Sequence, residues 1–325
     1  MGIGGRAKCF SLNSLEQLET LKFELTNRSF FILGGGSNLL VKDGEVESLC
    51  IKMELQGITW TSEDESFKAF AAAGVTFDEL VAQASEKGIA AIQLLSGIPG
   101  SVGAAPVQNI GAYGAEVSQF IESVEVMDLL TGDRLILSAL ECSFSYRSSI
   151  FNSSSKNRYI ILGVNFVFSV SDQFCIEHKD IVNQFGKGVA LLDEVEPLRA
   201  AVMAVRHQKG MLAGSSYPKS AGSFFKNPIV SSLQLKELLK IYPTMPYFAA
   251  GEQFKLAAAW LIGQTEFQKG FRYRGVGVSP YHNLSLINVE DGTYLQLMEL
   301  AKKIQQQVRD MFGVMLQIEP ERVEL

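Results

Sequence analysis

Two glycine-rich stretches hold the residues of this 325-residue chain best suited to chemistry. The first, "LGGGSNLLV" at 33–41, follows the apolar run "FFI"; the second, "SGIPGSVGAAPVQNIGAYGAE", covers 96–116. Glycine costs backbone entropy, so three in a row require a compensating gain. Close approach of the backbone to another segment or to phosphate oxygens supplies one, because successive N–H groups form an anion-binding concavity. A nucleoside-triphosphate loop is excluded, since it needs Gly-Lys-Ser/Thr, and here Ser37-Asn38 follows with no lysine before Lys42. Neither stretch contains Lys or Arg, so backbone and hydroxyl donors would have to hold a diphosphate. On the residues alone, purely structural turns remain the alternative.

Other chemistries find little support. "GIGGRA" at 2–7 fits GxGxxA, but no strand precedes it, so the match is ascribed to chance. The three histidines (His178, His207, His282) lie far apart, and no HExxH, His/Cys cluster or acidic calcium loop points to a metal. There is no GxSxG elbow. A net charge of -6 argues against a nucleic-acid partner. No apolar run approaches the roughly 18 residues of a membrane span. The start, "MGIGGRAKCF", has no apolar signal region, and Cys9, Cys50, Cys142 and Cys175 are scattered without CxxC. Reduced thiols in a cytoplasmic protein are expected. Hydrophobic content of 47% and charged content of 20% suit a globular protein with ample core, and the length suggests two or three domains.

The elements that must position these residues are mixed. "SLEQLETLKFEL" from Ser14 has helical spacing; "FFIL", "SLCIKM" and "YIILGVNFVF" read as strands. "TFDEL" offers a capping box of Thr76 with Glu79 for a helix stopping near Gly88. "VEVMDLLTGDRLIL" reads as a hairpin around Thr131-Gly132-Asp133. "PLRAAVMAVRHQKG" is a helix opened by Pro197 and closed by Gly210, with a domain boundary nearby. Then come the loop "MLAGSSYPKSAGSFFKNP", helices over "SSLQLKELLK" and "EQFKLAAAWLI", and a strand "LSLINV". A long helix follows, capped by Thr293 and Gln296, with Leu297, Leu300, Ile304, Val308 and Met311 on one face and Gly313 at its end. "VMLQIE" reads as a last strand, and the class is α+β.

"LGGGSNLLV", "SGIPGSVGAAPVQNIGAYGAE", "SYRSS", "SAGSFFKNP" and "KLAAAWLI", in this order, resemble the UDP-N-acetylenolpyruvoylglucosamine reductases, flavin-dependent enzymes of peptidoglycan synthesis. The resemblance runs from residue 3 to Glu319. It implies a two-subdomain FAD-binding fold of the vanillyl-alcohol-oxidase type plus a C-terminal α+β substrate-binding domain. The corresponding division is 1–55 and 56–205 for the FAD subdomains, 206–312 for the substrate domain and 313–325 for a strand returning to the active site. By that likeness Gly34, Gly35, Gly36, Ser37 and Asn38 wrap the FAD pyrophosphate from one side, and Gly97, Ile98, Pro99, Gly100, Ser101, Gly103 and Ala104 from the other.

The implied reaction reduces the enolpyruvyl ether of UDP-N-acetylglucosamine enolpyruvate, with NADPH as hydride source and FAD as non-covalent carrier. Hydride reaches C3, charge builds on the carboxylate as an enolate, and a proton must reach C2. Arg147 in "SYRSS" matches the arginine that grips the carboxylate, Ser223 in "SAGSFFKNP" the proton donor, and Glu319 the C-terminal glutamate assisting the enolate. Tyr113, His178, Lys209, Asn227 and Lys269 match substrate contacts. The resemblance implies a cytoplasmic monomer without resident metal, nucleic-acid partner or membrane insertion. His178 stands where the subtype with an extra substrate-covering loop has a tyrosine, Glu321 is a rival to Glu319, and the chain starts at "MGIGG" where relatives have an extension. A related flavin oxidase and a silent nucleotide-sugar binder are the competing classes. The oxidase is disfavoured because no His or Cys lies within Gly34–Asn38, the silent binder because Arg147, Ser223 and Glu319 are all present.

Overall fold

The computed structural model describes residues 1–25, 27–63, 66–171, 173–212 and 219–324. The chain forms two compact units that alternate along the sequence. The first comprises Ala7–Gly36 and Glu47–Ser215; the second comprises Met1–Arg6, Ser37–Val46 and Ser216–Leu325. No helix among the described residues is long and apolar enough to cross a membrane.

The first unit is built on two sheets. Strands Arg6–Leu12, Glu45–Met53 and Phe30–Leu33 lie in the order first, second, third, and Phe30–Leu33 runs parallel to Glu45–Met53 with Phe31 opposite Cys50. The strand Phe30–Leu33 therefore delivers Gly34 to Gly36 at its carboxyl end. The second sheet is antiparallel, with strands in the order Arg134–Ser138, Ile121–Asp128, Tyr159–Ser169, Ser66–Ala72 and Ile58–Glu63. Tyr159–Ser169 is its centre, as its almost unbroken apolar run requires for a strand flanked on both edges. A bulge at Gly163 lets Phe70 pass: a Cβ there would lie 2.4 Å from the ring. Helices Phe77–Ser85 and Val195–Gln208 bury Phe77, Leu80, Leu198 and Val202 in a core shared with Ile92, Phe166 and Phe168.

The second unit gathers two three-stranded sheets and the long helix Tyr294–Phe312. That helix forms as the sequence predicts. Gln296 N–H donates to the Thr293 hydroxyl at 3.2 Å, and Thr293 N–H donates to the Gln296 side chain at 3.3 Å. Gly313 ends it with φ +64. Leu297, Leu300, Ile304 and Val308 are fully buried. Met311 is 39% exposed, and Phe312, 5% exposed, takes the last place on the buried face instead.

Four further readings are corrected. "EQFKLAAAWLI" is no continuous helix: Gln253–Leu256 is a strand and only Ala258–Gly263 is helical. Pairing on both sides, with Ile229–Val230 and Tyr247–Ala250, overrides the local helical spacing. "VMLQIE" contributes one bridge at Ile318, and the terminal strand is Glu321–Val323. The helix at Phe77 starts where expected, but the Thr76 hydroxyl faces the Glu79 carboxylate at 3.5 Å instead of capping the backbone. The helix expected from Pro197 begins two residues earlier, at Val195, and residues 213–218 of the loop that follows lie outside the described residues.

Leu300→Ala is expected to destabilise the protein by about 2–5 kcal/mol, the usual cost of emptying a collapsed core site. Met311→Ala should stay within about 0.5 kcal/mol. Urea unfolding at constant m-value checks both, and equal losses would contradict the register of this helix.

Candidate active site

In the first unit the two glycine turns press against each other. A Cβ on Gly35 would lie 2.8 Å from Gly100 Cα, and one on Gly34 would lie 2.4 Å from Ser101 Oγ. Glycine is required at Gly35 by backbone-to-backbone approach and at Gly97 and Gly100 also by φ of +69 and +126. The second turn is pinned to the segment before helix Phe77–Ser85. Phe77 N–H donates to Gly100 at 3.0 Å, Val102 N–H to Val75 at 2.8 Å and Gly103 N–H to Ala73 at 2.9 Å. Gly97 N–H donates to the Asp78 carboxylate at 2.6 Å, and Arg199 grips the same carboxylate with two bonds of 2.9 and 2.8 Å. Burial alone would raise the Asp78 carboxyl, but Arg199, the Gly97 N–H and the charge of Arg206 hold it below its ordinary value.

Arg147 occupies a tight turn in which Ser145 and Ser148 bond each other's backbone. Its guanidinium donates to Gly111 carbonyl at 2.8 Å and to Asn109 carbonyl at 3.4 Å. Asn109, 1% exposed, ties this corner together: its amide donates to Glu116 at 2.8 Å and Ser145 at 3.1 Å, and accepts from Ser118 N–H at 3.1 Å. The two-residue strands Gly111–Ala112 and Ala115–Glu116 pair, which puts Tyr113 at the tip of a hairpin. The His178 ring meets the Tyr113 ring edge-on at 4.9 Å, and Lys209 Nζ lies 5.5 Å from the Tyr113 ring centre. Lys209 is ion-paired with Asp180, whose N–H donates to His178 Nδ1 at 3.3 Å. Tyr113, His178 and Lys209 thus form one cluster, with His178 also capping helix Lys179–Phe185.

In the second unit, residues 224–226 pair with 317–319. Glu319 N–H donates to Phe224 carbonyl and Lys226 N–H to Gln317 carbonyl, both at 2.9 Å. This pairing sets Glu319 opposite Phe224, the residue that follows Ser223; Ser223 and Glu319 are both half-buried. The fully buried Phe224 and Phe225, ring centres 5.2 Å apart, anchor the first strand. The C-terminal segment then continues as Glu321–Val323, parallel to Leu39–Val41, with Glu321 N–H donating to Asn38 carbonyl at 2.9 Å. Ser37 and Asn38 therefore belong with the C-terminal strand, while Gly34 to Gly36 belong to the first unit. Asn227 caps from a distance, accepting Ala258 N–H at 2.9 Å at the start of helix Ala258–Gly263. Lys269 is exposed on a turn, its N–H bonded to Asn283. Lys209 lies beside Tyr113 in the first unit, and Asn227 belongs to the second.

Comparison with known proteins decides the family. The UDP-N-acetylenolpyruvoylglucosamine reductase C-terminal domain profile matches residues 214–323, and an FAD binding domain profile matches residues 16–138. The reductase of Amoebophilus asiaticus is 39% identical, over 98% of this chain and 94% of its own length. That of Thermobifida fusca is 34% identical over the same shares. The chain belongs to the UDP-N-acetylenolpyruvoylglucosamine reductase family. The crystal structure of the Thermus caldophilus reductase shares the fold, with a TM-score of 0.68, 24% identity, and coverage of 99% of this chain and 94% of that one.

The cradle fits the flavin nucleotide that this family binds. Ser101 is 5% exposed and its hydroxyl has no hydrogen-bond partner among the described residues. A buried hydroxyl left unpaired costs about 1–3 kcal/mol, which a phosphate oxygen at this corner would relieve. The glycines keep both turns free of side chains at the same place. Sequence reasoning found the glycines and Ser101 but missed Asn109, Asp78 and Arg206. Their only sequence signal was the polar type of Asn109 and Asp78 amid or beside the glycine-rich stretch.

Gly35→Ala is expected to weaken FAD retention at least about tenfold, because its methyl cannot coexist with Gly100; an overlap this tight forces backbone movement. The ratio of visible flavin to protein absorbance after purification, and titration of the stripped protein with FAD, read the effect. A second expectation concerns pH. Burial lowers the His178 imidazole below its ordinary 6.5, opposed by Asp180 and reinforced by Lys209. The native state therefore binds this proton less readily than the unfolded chain. Its stabilising contribution is full above pH 6.5 and is lost as pH falls through the depressed value. His178→Asn, which keeps a capping side chain, should flatten the slope of stability against pH just below 6.5. An unchanged slope in urea unfolding would assign that dependence to other groups.

Proposed function

We propose that this chain is the FAD-dependent reductase that uses NADPH to reduce the enolpyruvyl ether of UDP-N-acetylglucosamine enolpyruvate to UDP-N-acetylmuramate in peptidoglycan synthesis. The observation that carries the reading is the pairing of 224–226 with 317–319, in a chain matched over almost its full length by reductases of that name. That pairing brings the segment that carries Ser223 against the segment that carries Glu319, positions almost a hundred residues apart in sequence. Bound FAD supplies a hydride donor that NADPH can reload.

The chain's own residues do the rest. Arg147 holds the substrate carboxylate and the charge that builds on it; its turn and its bonds to Gly111 and Asn109 fix the guanidinium before substrate arrives. Ser223 Oγ gives the proton to C2. A serine hydroxyl is a weak acid in water, but it can protonate a strongly basic enolate carbon held against it. Glu319 assists the enolate by hydrogen bonding. Its half-buried place opposite Phe224, against the exposed Glu321 in a terminal strand, supports choosing it over Glu321. Tyr113, His178 and Lys209 receive the nucleotide's diphosphate with ring faces and a cation, and Asn227 and Lys269 complete the substrate contacts. Gly34 to Asn38 and Gly97 to Ala104 hold the FAD pyrophosphate by close approach of turns bare of side chains and through the Ser101 hydroxyl, the N–H groups of Gly97, Val102 and Gly103 being used to shape the second turn. The finer division into 1–55, 56–205, 206–312 and 313–325 belongs to the same proposal, as does action as a cytoplasmic monomer. The four cysteines, all free thiols, agree with a reducing compartment.

Ser223→Ala should leave reduction of the flavin by NADPH within about twofold of wild type. It should slow reoxidation by the enolpyruvyl sugar by about a hundredfold or more, the upper part of the range for losing a general acid. Anaerobic stopped-flow measurement of the two half-reactions separates them. Equal losses in both would remove Ser223 as the donor.

A further inference from the structure

The carboxylate that shapes the second glycine turn is out of place beside an anion site. Asp78 lies in the first turn of helix Phe77–Ser85 and accepts the Gly97 N–H at 2.6 Å, with Gly97 at φ +69. That N–H is therefore taken, and a negative charge stands on the very turn read as one side of the pyrophosphate cradle. A backbone carbonyl or an asparagine could accept the same N–H without bringing a charge. Burial alone would raise the Asp78 carboxyl, but its partners hold it below its ordinary value, so it is ionised at neutral pH. Two anions on one turn repel each other unless a cation stands between them and water is kept from replacing it.

Arg199 supplies that cation. Its guanidinium meets both carboxylate oxygens, Nη1 to Oδ1 at 2.9 Å and Nη2 to Oδ2 at 2.8 Å, a two-pronged grip that fixes direction as well as charge. The Arg199 side chain is 14% exposed and that of Asp78 34%, so the pair is partly withdrawn from water and salt. Arg199 belongs to helix Val195–Gln208, which also presses on the turn: a Cβ on Gly97 would lie 2.6 Å from Met203 Sδ. A second bond, from the Ser85 hydroxyl to Glu196 at 2.9 Å, joins the same two helices. One carboxylate thus fastens helix Phe77–Ser85, the turn at Gly97 and helix Val195–Gln208 to each other. We propose that Arg199 is a positioning residue acting through Asp78: it holds the carboxylate where it sets the Gly97 turn, and it cancels the charge that would otherwise repel the pyrophosphate of FAD. This rests on the reading of the two glycine turns as the pyrophosphate cradle.

The test follows release of FAD from the full-length holoprotein, read as the rise of flavin fluorescence on dilution. Arg199→Met should speed release about tenfold or more, because it leaves an unpaired carboxylate on the turn. Arg199→Gln, which removes the same charge, takes its place should the methionine protein fail to fold. Asp78→Asn keeps an acceptor for the Gly97 N–H and should stay within about threefold of wild type. The double variant should also stay within about threefold, the second substitution undoing most of the loss caused by the first. Raising KCl from about 0.05 M to about 0.5 M should shrink the Arg199→Met loss severalfold and leave wild type and the double variant nearly unchanged. A purely structural brace would show neither the reversal nor the salt effect. A double variant that releases FAD as fast as Arg199→Met, or a loss indifferent to salt, would overturn the proposal. Gly35→Ala in the same assay separates the two readings. Unchanged release there removes the pyrophosphate from these turns and the proposal with it; faster release without the reversal leaves the cradle standing and sinks the role of Arg199 alone.

Discussion

The contact between Gly35 and Gly100 is the constraint from which the first unit's architecture follows. Two backbones approach until a methyl group no longer fits between them, at 2.8 Å from an added Cβ to Cα. No side-chain attraction holds such a junction, so its stability must come from the scaffold on each side. Phe30–Leu33 delivers the first turn as the continuation of a parallel strand. The second turn is laced to 73–78 by three backbone bonds and by Asp78, itself clamped by Arg199. The outcome is a corner kept clear of side chains by two glycine turns, where the buried Ser101 hydroxyl has no partner among the described residues.

The second unit solves a different problem, that of bringing distant residues together. Its C-terminal segment pairs first with 224–226 and then with Leu39–Val41. The long helix supports this strap from behind. Its first N–H groups are satisfied by Thr293 and by the Asp43 carboxylate, which accepts Tyr294 N–H at 2.9 Å. Asp43 follows the strand Leu39–Val41, so the helix start, that strand and the terminal strand share one junction. Gln305 completes it by donating to Leu316 carbonyl at 2.8 Å.

What the sequence made legible was local. The capping box at Thr293, the apolar run of Tyr159–Ser169, the hairpin at Gly132 and the conformational demand of the glycines all depend on near neighbours, and each formed as read. Where a distant partner decides, the reading failed or had nothing to say. Gln253–Leu256 has helical spacing and is a strand because two strands claim it. Asp78 drew no reading at all, because its partner lies 121 residues away. Arg206 carried no motif, and its side chain is buried against Gly97. The candidate site residues were reached through ordered motifs, and their geometry required the fold.

Backbone strain points to the same region of the first unit as the side chains do. Asn109, Tyr113 and Arg147 have φ of +46, +54 and +53, and they lie on two loops bonded to each other. Asparagine tolerates this conformation, whereas for a tyrosine or an arginine it costs about 1–2 kcal/mol. Each is held by bonds that ordinary turns lack: Arg147 carbonyl accepts from Asn152 at 3.2 Å, its guanidinium spans two carbonyls, and Tyr113 is boxed in by His178 and Lys209. A loop needing only to reverse direction would place glycine at such positions, as the chain does at Gly114 and Gly132. Keeping a guanidinium and a phenol there instead is a cost in stability that folding does not require. It is intelligible if those two groups must be aimed before the ligand arrives.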